Sequence, residues 1–112
     1  MSPRLPNPRL KAQVFAALGD ETRLQLVVRL SDGRQHSIAQ LTADSALTRQ
    51  AVTKHLLVLK RAKIVQSRRS GRQSLFELNP QPLNELQQYL VQVSQHWDEA
   101  LNRLRLFVES KS

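Results

Sequence analysis

Apolar residues recur at helical spacing in five stretches of this chain, and between the fourth and the fifth the spacing shortens to that of strands. Residues 1–7 (MSPRLPN) hold two prolines and no periodicity, which predicts a flexible arm. Asn7 and Pro8 then read as an N-cap and a proline at the first helical position, where its missing N–H costs nothing. A first helix is expected over Pro8–Leu18, closed by Gly19 in the left-handed conformation. Asp20 caps a second, core helix whose apolar side is Leu24, Val27, Val28 and Leu30, and Ser31-Asp32-Gly33 ends it. In Ser37-Ile38-Ala39-Gln40 the hydroxyl and the amide each satisfy an orphaned backbone N–H, so a third helix starts near Ile38. Asp44, Ser45 and Ala46 cut it short, and Thr48 caps a fourth helix running to about Ala62. Two helices joined this closely predict a helix-turn-helix.

The fourth helix has two faces. Wound at about 100° per residue, it places Ala51, Val52, His55, Leu59 and Ala62 on one side. Arg49, Gln50, Thr53, Lys54, Lys60 and Arg61 occupy the other, and only Leu57 interrupts that polar arc. Beyond it, Ile64–Arg69 and Arg72–Leu78 flank Ser70-Gly71, whose glycine supplies the positive φ of a two-residue hairpin loop. From Asn79-Pro80 to about Glu109 no glycine appears, and no proline beyond Pro82, so the last element is one helix over about 80–109. Leu83, Leu86, Leu90, Val93, Trp97, Ala100, Leu104 and Phe107 alternate spacings of three and four, a sustained heptad seam. At 1.5 Å per residue this helix spans about 45 Å. A domain of this size covers less than that, so part of the seam is expected to meet a second copy; the alternative is a seam packed wholly within one subunit.

Charge sharpens the picture because it is regional. The 112 residues carry a net charge of +8. Between Ala46 and Phe76 stand Arg49, Lys54, Lys60, Arg61, Lys63, Arg68, Arg69 and Arg72, with no Asp or Glu among them. Duplex DNA repels acidic side chains and holds condensed counterions that Lys and Arg displace. The stretch therefore reads as a nucleic-acid contact surface, against the plainer alternative of a solvated charged face. Element order favours the first reading, since an arginine-tipped hairpin just after a helix-turn-helix is the arrangement of a winged helix. The polar arc carries the chemistry of major-groove reading: Arg49 and Lys54 suit guanine O6 and N7, Gln50 suits adenine, and Thr53 suits either. Lys60, Arg61, Arg68, Arg69 and Arg72 are the candidate phosphate contacts.

The length is that of one domain, over residues 8–110, mainly α with a small β-hairpin. There is no cysteine, which excludes disulfides and thiolate metal sites and fits a reducing cytoplasm. No apolar run approaches the roughly 18 residues of a membrane span, and the proline-rich start is unlike a signal peptide. His36, His55 and His96 show no metal-ligand spacing, so neither a metal nor a cofactor is expected.

The helix order, Asp20-Glu21-Thr22-Arg23, the stretch Leu47-Thr48-Arg49-Gln50-Ala51-Val52-Thr53-Lys54-His55-Leu56, and Arg68-Arg69-Ser70-Gly71-Arg72 together resemble the ArsR-type winged-helix repressors over residues 10–108. The resemblance implies a homodimer built from the first and last helices, bound to a pseudo-palindromic double-stranded operator. It also implies that Thr48, Arg49, Gln50, Thr53 and Lys54 lie at the DNA; His55 matches a position common in such proteins, but the helical wheel sets it on the inward arc, as a packing histidine. Ala46 and Lys63 stand where such proteins usually have glycine, each at a cost of about 1 kcal/mol in a left-handed position. The cysteine-bearing metal motif of metal-sensing relatives reads Leu41-Thr42-Ala43-Asp44-Ser45 here, and the last helix has only His96 beside Asp98 and Glu99. The inducing signal is thus not legible.

Three rival classes remain. An enzyme lacks support, since no nucleophile elbow or phosphate-binding glycine loop appears. A general or single-strand nucleic-acid binder needs exposed aromatic platforms, whereas Phe15, Phe76, Tyr89, Trp97 and Phe107 all fall in packing or seam positions. A winged helix serving protein–protein contacts is the third, and the basic fourth helix argues against it.

Overall fold

The computed structural model describes residues 8–43 and 45–110; the expected arm over 1–7, the Asn7 cap and Asp44 lie outside them. Five helices and a three-stranded sheet follow in the order α1 (Pro8–Leu18), α2 (Glu21–Leu30), β1 (His36–Ser37), α3 (Ile38–Ala43), α4 (Arg49–Arg61), β2 (Val65–Ser70), β3 (Gln73–Leu78) and α5 (Pro80–Ser110). The caps are where the residue types place them. Asp20 accepts from the Arg23 N–H at 3.0 Å, and Thr48 from the Ala51 N–H at 3.1 Å. The Ser37 N–H donates to Gln40 at 2.9 Å while the Gln40 N–H donates to the Ser37 hydroxyl at 3.1 Å.

One core joins these elements: Val14 and Ala17 of α1, Leu26 and Leu30 of α2, Leu41 of α3, Val52, Leu56 and Leu59 of α4, with Ile64, Val65, Phe76 and Leu86. Leu56 is fully buried at the centre of α4, where such a side chain contributes about 1.5–3 kcal/mol through burial. The helical wheel left it off the inward arc.

Several expectations need correction. On α2 the buried pair is Leu26 and Leu30, whereas Leu24 and Val28 are 48% and 71% exposed. Gly19 is not left-handed. A Cβ there would stand 3.3 Å from the Phe15 carbonyl, so its use is the close approach at the end of α1. Ala46 is not left-handed either; the turn closes through Ser45, whose N–H bonds the Thr42 carbonyl and whose hydroxyl accepts from Leu47 N–H. Lys63 does adopt φ +63°. It sits in a complete Schellman turn, with Lys63 N–H bonded to Lys60 O at 2.9 Å and Ile64 N–H to Leu59 O at 3.0 Å.

The hairpin loop lies one residue later than expected. Ser70 pairs with Gln73, so Gly71-Arg72 is the two-residue loop. Gly71 at φ +61° takes its first position, the pattern that puts glycine ahead of a residue with negative φ. The sheet also gains β1, which periodicity does not predict, in the order β1-β3-β2, with His36 opposite Phe76. Finally, α5 extends well past the body of a molecule measuring 68 × 31 × 22 Å. Of its seam, Leu83, Leu86, Val93 and Ala100 are covered wholly or partly, while Leu90, Trp97, Leu104 and Phe107 are exposed. The seam therefore does not close within one chain.

Candidate nucleic-acid interface

The candidate interface is built on α4. Burial of Val52, Leu56 and Leu59 turns Arg49, Gln50 and Lys54 outward, all exposed in the first turns of the helix. Thr48 is exposed as the N-cap, with its oxygen already bonded to the Ala51 N–H. Thr53 is half-buried and its hydroxyl donates to the Arg49 carbonyl at 2.7 Å. Each hydroxyl retains a further hydrogen-bonding position, but Arg49, Gln50 and Lys54 offer the unencumbered reach.

The wing stands beside this helix. Lys60 donates to the Ser67 hydroxyl at 2.7 Å and ties α4 to β2. Along β2, Ser67 opposes Phe76, Arg68 opposes Leu75 and Arg69 opposes Ser74. Strand alternation thus sets Arg69 on the Phe76 face, which turns toward α4, and Arg68 on the other. Arg72 in the loop comes back toward the helix: with Arg49, Ser37, Ile38, Ala39, Gln73 and Ser74 it lines a cleft of about 180 Å³. The structure accordingly brings Arg72 of the wing to Arg49 of α4 at one cleft, and leaves Gln50, Lys54 and Arg69 exposed on the same two elements. Arg61 is placed elsewhere, lining a cleft between α1 and α4 with Gln13, Ala16 and Arg23.

Sequence reasoning missed the residues that hold this surface in place. Arg29 donates to the Leu41 carbonyl at 2.8 Å and the Gln40 carbonyl at 3.3 Å, fastening α2 to the end of α3. Arg23 bonds the last carbonyls of α1 and faces His55 of α4. Nothing in a periodic pattern marks an arginine as a helix-end partner.

The remaining titratable groups serve the scaffold. The Arg23 N–H, and then the Arg23 and His55 charges, hold the Asp20 carboxyl below its ordinary range. The Arg34 N–H and then His36, at 2.9 Å, do the same for Asp32. Among the described residues no group of three His, Asp or Glu side chains gathers around a point, and no helix is long and apolar enough to cross a membrane.

No family model matches the chain. An uncharacterized HTH-type transcriptional regulator of Bacillus subtilis, YuzN, is 38% identical over 82 residues, spanning 68% of this chain and 89% of that protein. An ArsR-like transcriptional regulator from Rhodococcus sp. RHA1 superposes with a TM-score of 0.80 at 30% identity, over 89% of this chain and 93% of that one. The chain belongs to the ArsR family of winged helix-turn-helix transcriptional regulators. It is thus a regulator and not an enzyme. The homodimeric winged helix-turn-helix DNA-binding domain Mb0332 of Mycobacterium bovis shares the fold at a TM-score of 0.64 and 19% identity, over 86% of this chain and 93% of that one.

Proposed function

We propose that the protein is a cytoplasmic homodimeric repressor that recognises a pseudo-palindromic operator by base reading from α4 and blocks a promoter by occupying it. One observation carries this reading: a helix anchored by three buried apolar side chains turns an acid-free set of Arg49, Gln50 and Lys54 to solvent, flanked by Arg69 and Arg72. In this arrangement Thr48, Arg49, Gln50, Thr53 and Lys54 meet base edges, and Lys60, Arg68, Arg69 and Arg72 meet phosphates, whereas Arg61, in the cleft between α1 and α4, does not join them. Two such heads need a fixed separation of about 34 Å to enter successive major grooves. The exposed apolar row of Leu90, Trp97, Leu104 and Phe107 on α5 supports joining them by pairing with a second copy.

The test begins with duplexes selected by the protein from a random library. Arg49→Ala or Gln50→Ala is expected to lower discrimination between the selected duplex and random DNA by about 1–3 kcal/mol per site. Arg69→Ala is expected to weaken both alike and to reduce the salt slope by about one phosphate's worth, roughly 0.9. Equal losses on selected and random DNA for the α4 variants would show that α4 does not read bases.

A further inference from the structure

The geometry points to Arg23 as a positioning residue that locks the angle between the reading helix and α1, whose Phe15 packs on Tyr89 of α5. The inference rests on the reading of α4 given above. The last carbonyls of a helix have no partner within it. At the end of α1, Arg23 supplies one: its Nε donates to the Ala17 carbonyl and its Nη2 to the Ala16 carbonyl at 3.4 Å. The same guanidinium places Nη1 3.3 Å from Nδ1 of His55, on the inner side of α4. Asp20, whose carboxylate receives the Arg23 N–H at 3.0 Å, stands 3.8 Å from that ring. One planar fork therefore joins the end of α1 and the start of α2 to the middle of the reading helix.

A guanidinium suits this task because its donors point in fixed directions, so three partners are held at set angles and not merely at set distances. Beside the joint the surface is open. The cleft between α1 and α4 is floored by the small side chains Ala16, Ala17 and Ala62, with Val58. Core packing of Val14 and Ala17 holds the helices together on the inside, and Arg23 is what spans them on this open side. Half-sites about 34 Å apart must be met by both heads to within a fraction of one base-pair step, so the angle at which α4 is held decides which spacing is accepted. A loosened joint would let the dimer accept operators of the wrong spacing.

The experiment uses the full chain and the duplex it selects from a random library, with versions whose half-sites are moved together or apart by one base pair. Wild-type protein is expected to prefer the selected spacing. Arg23→Lys keeps the charge but not the fork, and His55→Leu keeps the volume but loses the ring nitrogen. Each is expected to narrow that spacing preference by roughly 2- to 30-fold, with unchanged affinity for random duplex and unchanged mass by light scattering. Spacing preference retained in both variants would overturn the inference and leave α4 as the reader. Affinities falling in parallel on every duplex, together with lower melting temperatures, would overturn it in favour of a merely structural arginine. A wild-type protein that enriches no sequence would overturn the operator reading itself, and the positioning role with it.

Discussion

Replacing Lys63 by glycine should stabilise the protein. Lys63 is held at φ +63°, where an L side chain crowds the following carbonyl at a cost of about 1–2 kcal/mol. The conformation cannot relax, because both Schellman hydrogen bonds converge on it and bring fully buried Leu59 and Ile64 together. Asn79 adds two restraints, donating from its side chain to the Lys63 carbonyl at 3.1 Å and from its N–H to the Ile64 carbonyl at 2.8 Å. Glycine removes the crowding but loses more chain entropy on folding, about 0.5–1 kcal/mol, so the net gain is about 1 kcal/mol or slightly less. For a domain of this size that raises the melting temperature by about 4 °C. Lys63→Ala separates backbone from charge, since it discards the ammonium while keeping the crowded Cβ. Lys63→Asn should fall between, as asparagine tolerates this region better. Thermal and urea unfolding at one fixed protein concentration give the ordering, the concentration being held because an oligomer's midpoint depends on it. If alanine stabilised as much as glycine, relief of charge repulsion in the basic stretch, and not backbone strain, would be the cause.

Two further outcomes are expected. Trp97→Glu, at a position 63% exposed on the outer part of α5, should yield monomers by light scattering, and a persistent dimer would remove this row from the subunit contact. The depressed Asp20 carboxyl binds its proton less readily folded than unfolded, so its stabilisation is complete above the ordinary carboxyl value of 3.8 and is lost as pH falls below it. Asp20→Asn keeps the cap oxygen without the titration; its urea midpoint should lie below wild type at pH 6 and converge toward it near pH 3, and a gap independent of pH would refute the linkage.

What the sequence disclosed was whatever a short window encodes. The caps at Asp20, Ser37 and Thr48 follow from side-chain oxygens at fixed offsets from backbone N–H groups, and all three stand as expected. The two faces of α4 were readable because Arg49, Gln50 and Lys54 fall together on a turn of 3.6 residues. The second helix was harder. Leu24 with Val28, and Leu26 with Leu30, are both spaced by four, and nothing local says which pair meets the core. The hairpin register suffered the same degeneracy, because Ser70-Gly71-Arg72 accommodates glycine as either first or second loop residue. Cross-strand packing of Val65 on Leu78 and Ser67 on Phe76 decided it. Strand β1 was out of reach, since two residues become a strand only when Phe76 arrives from 40 positions away in the chain.

The same division between local and distant information explains α5. Its heptad spacing is local, so the helix and its seam are legible in the order of residues alone. Which half of the seam the domain itself covers is a tertiary matter, decided by where α1 ends: Phe15 of α1 packs edge-to-face on Tyr89, with ring centroids 6.3 Å apart. Beyond that point the helix continues through Trp97, Leu101, Leu104 and Phe107, each more than half exposed. At about 25 cal/mol per Å² of apolar surface, leaving such a row in water is costly enough that selection for a solitary chain would replace it with polar residues. The +8 net charge opposes close approach of two copies, yet eight of the 17 basic residues lie between Ala46 and Phe76 without an acid, whereas on this stretch Arg103 and Arg105 are balanced by Asp98 and Glu99. Net positive charge and exposed apolar surface thus lie on different elements, which supports the proposed pairing through α5.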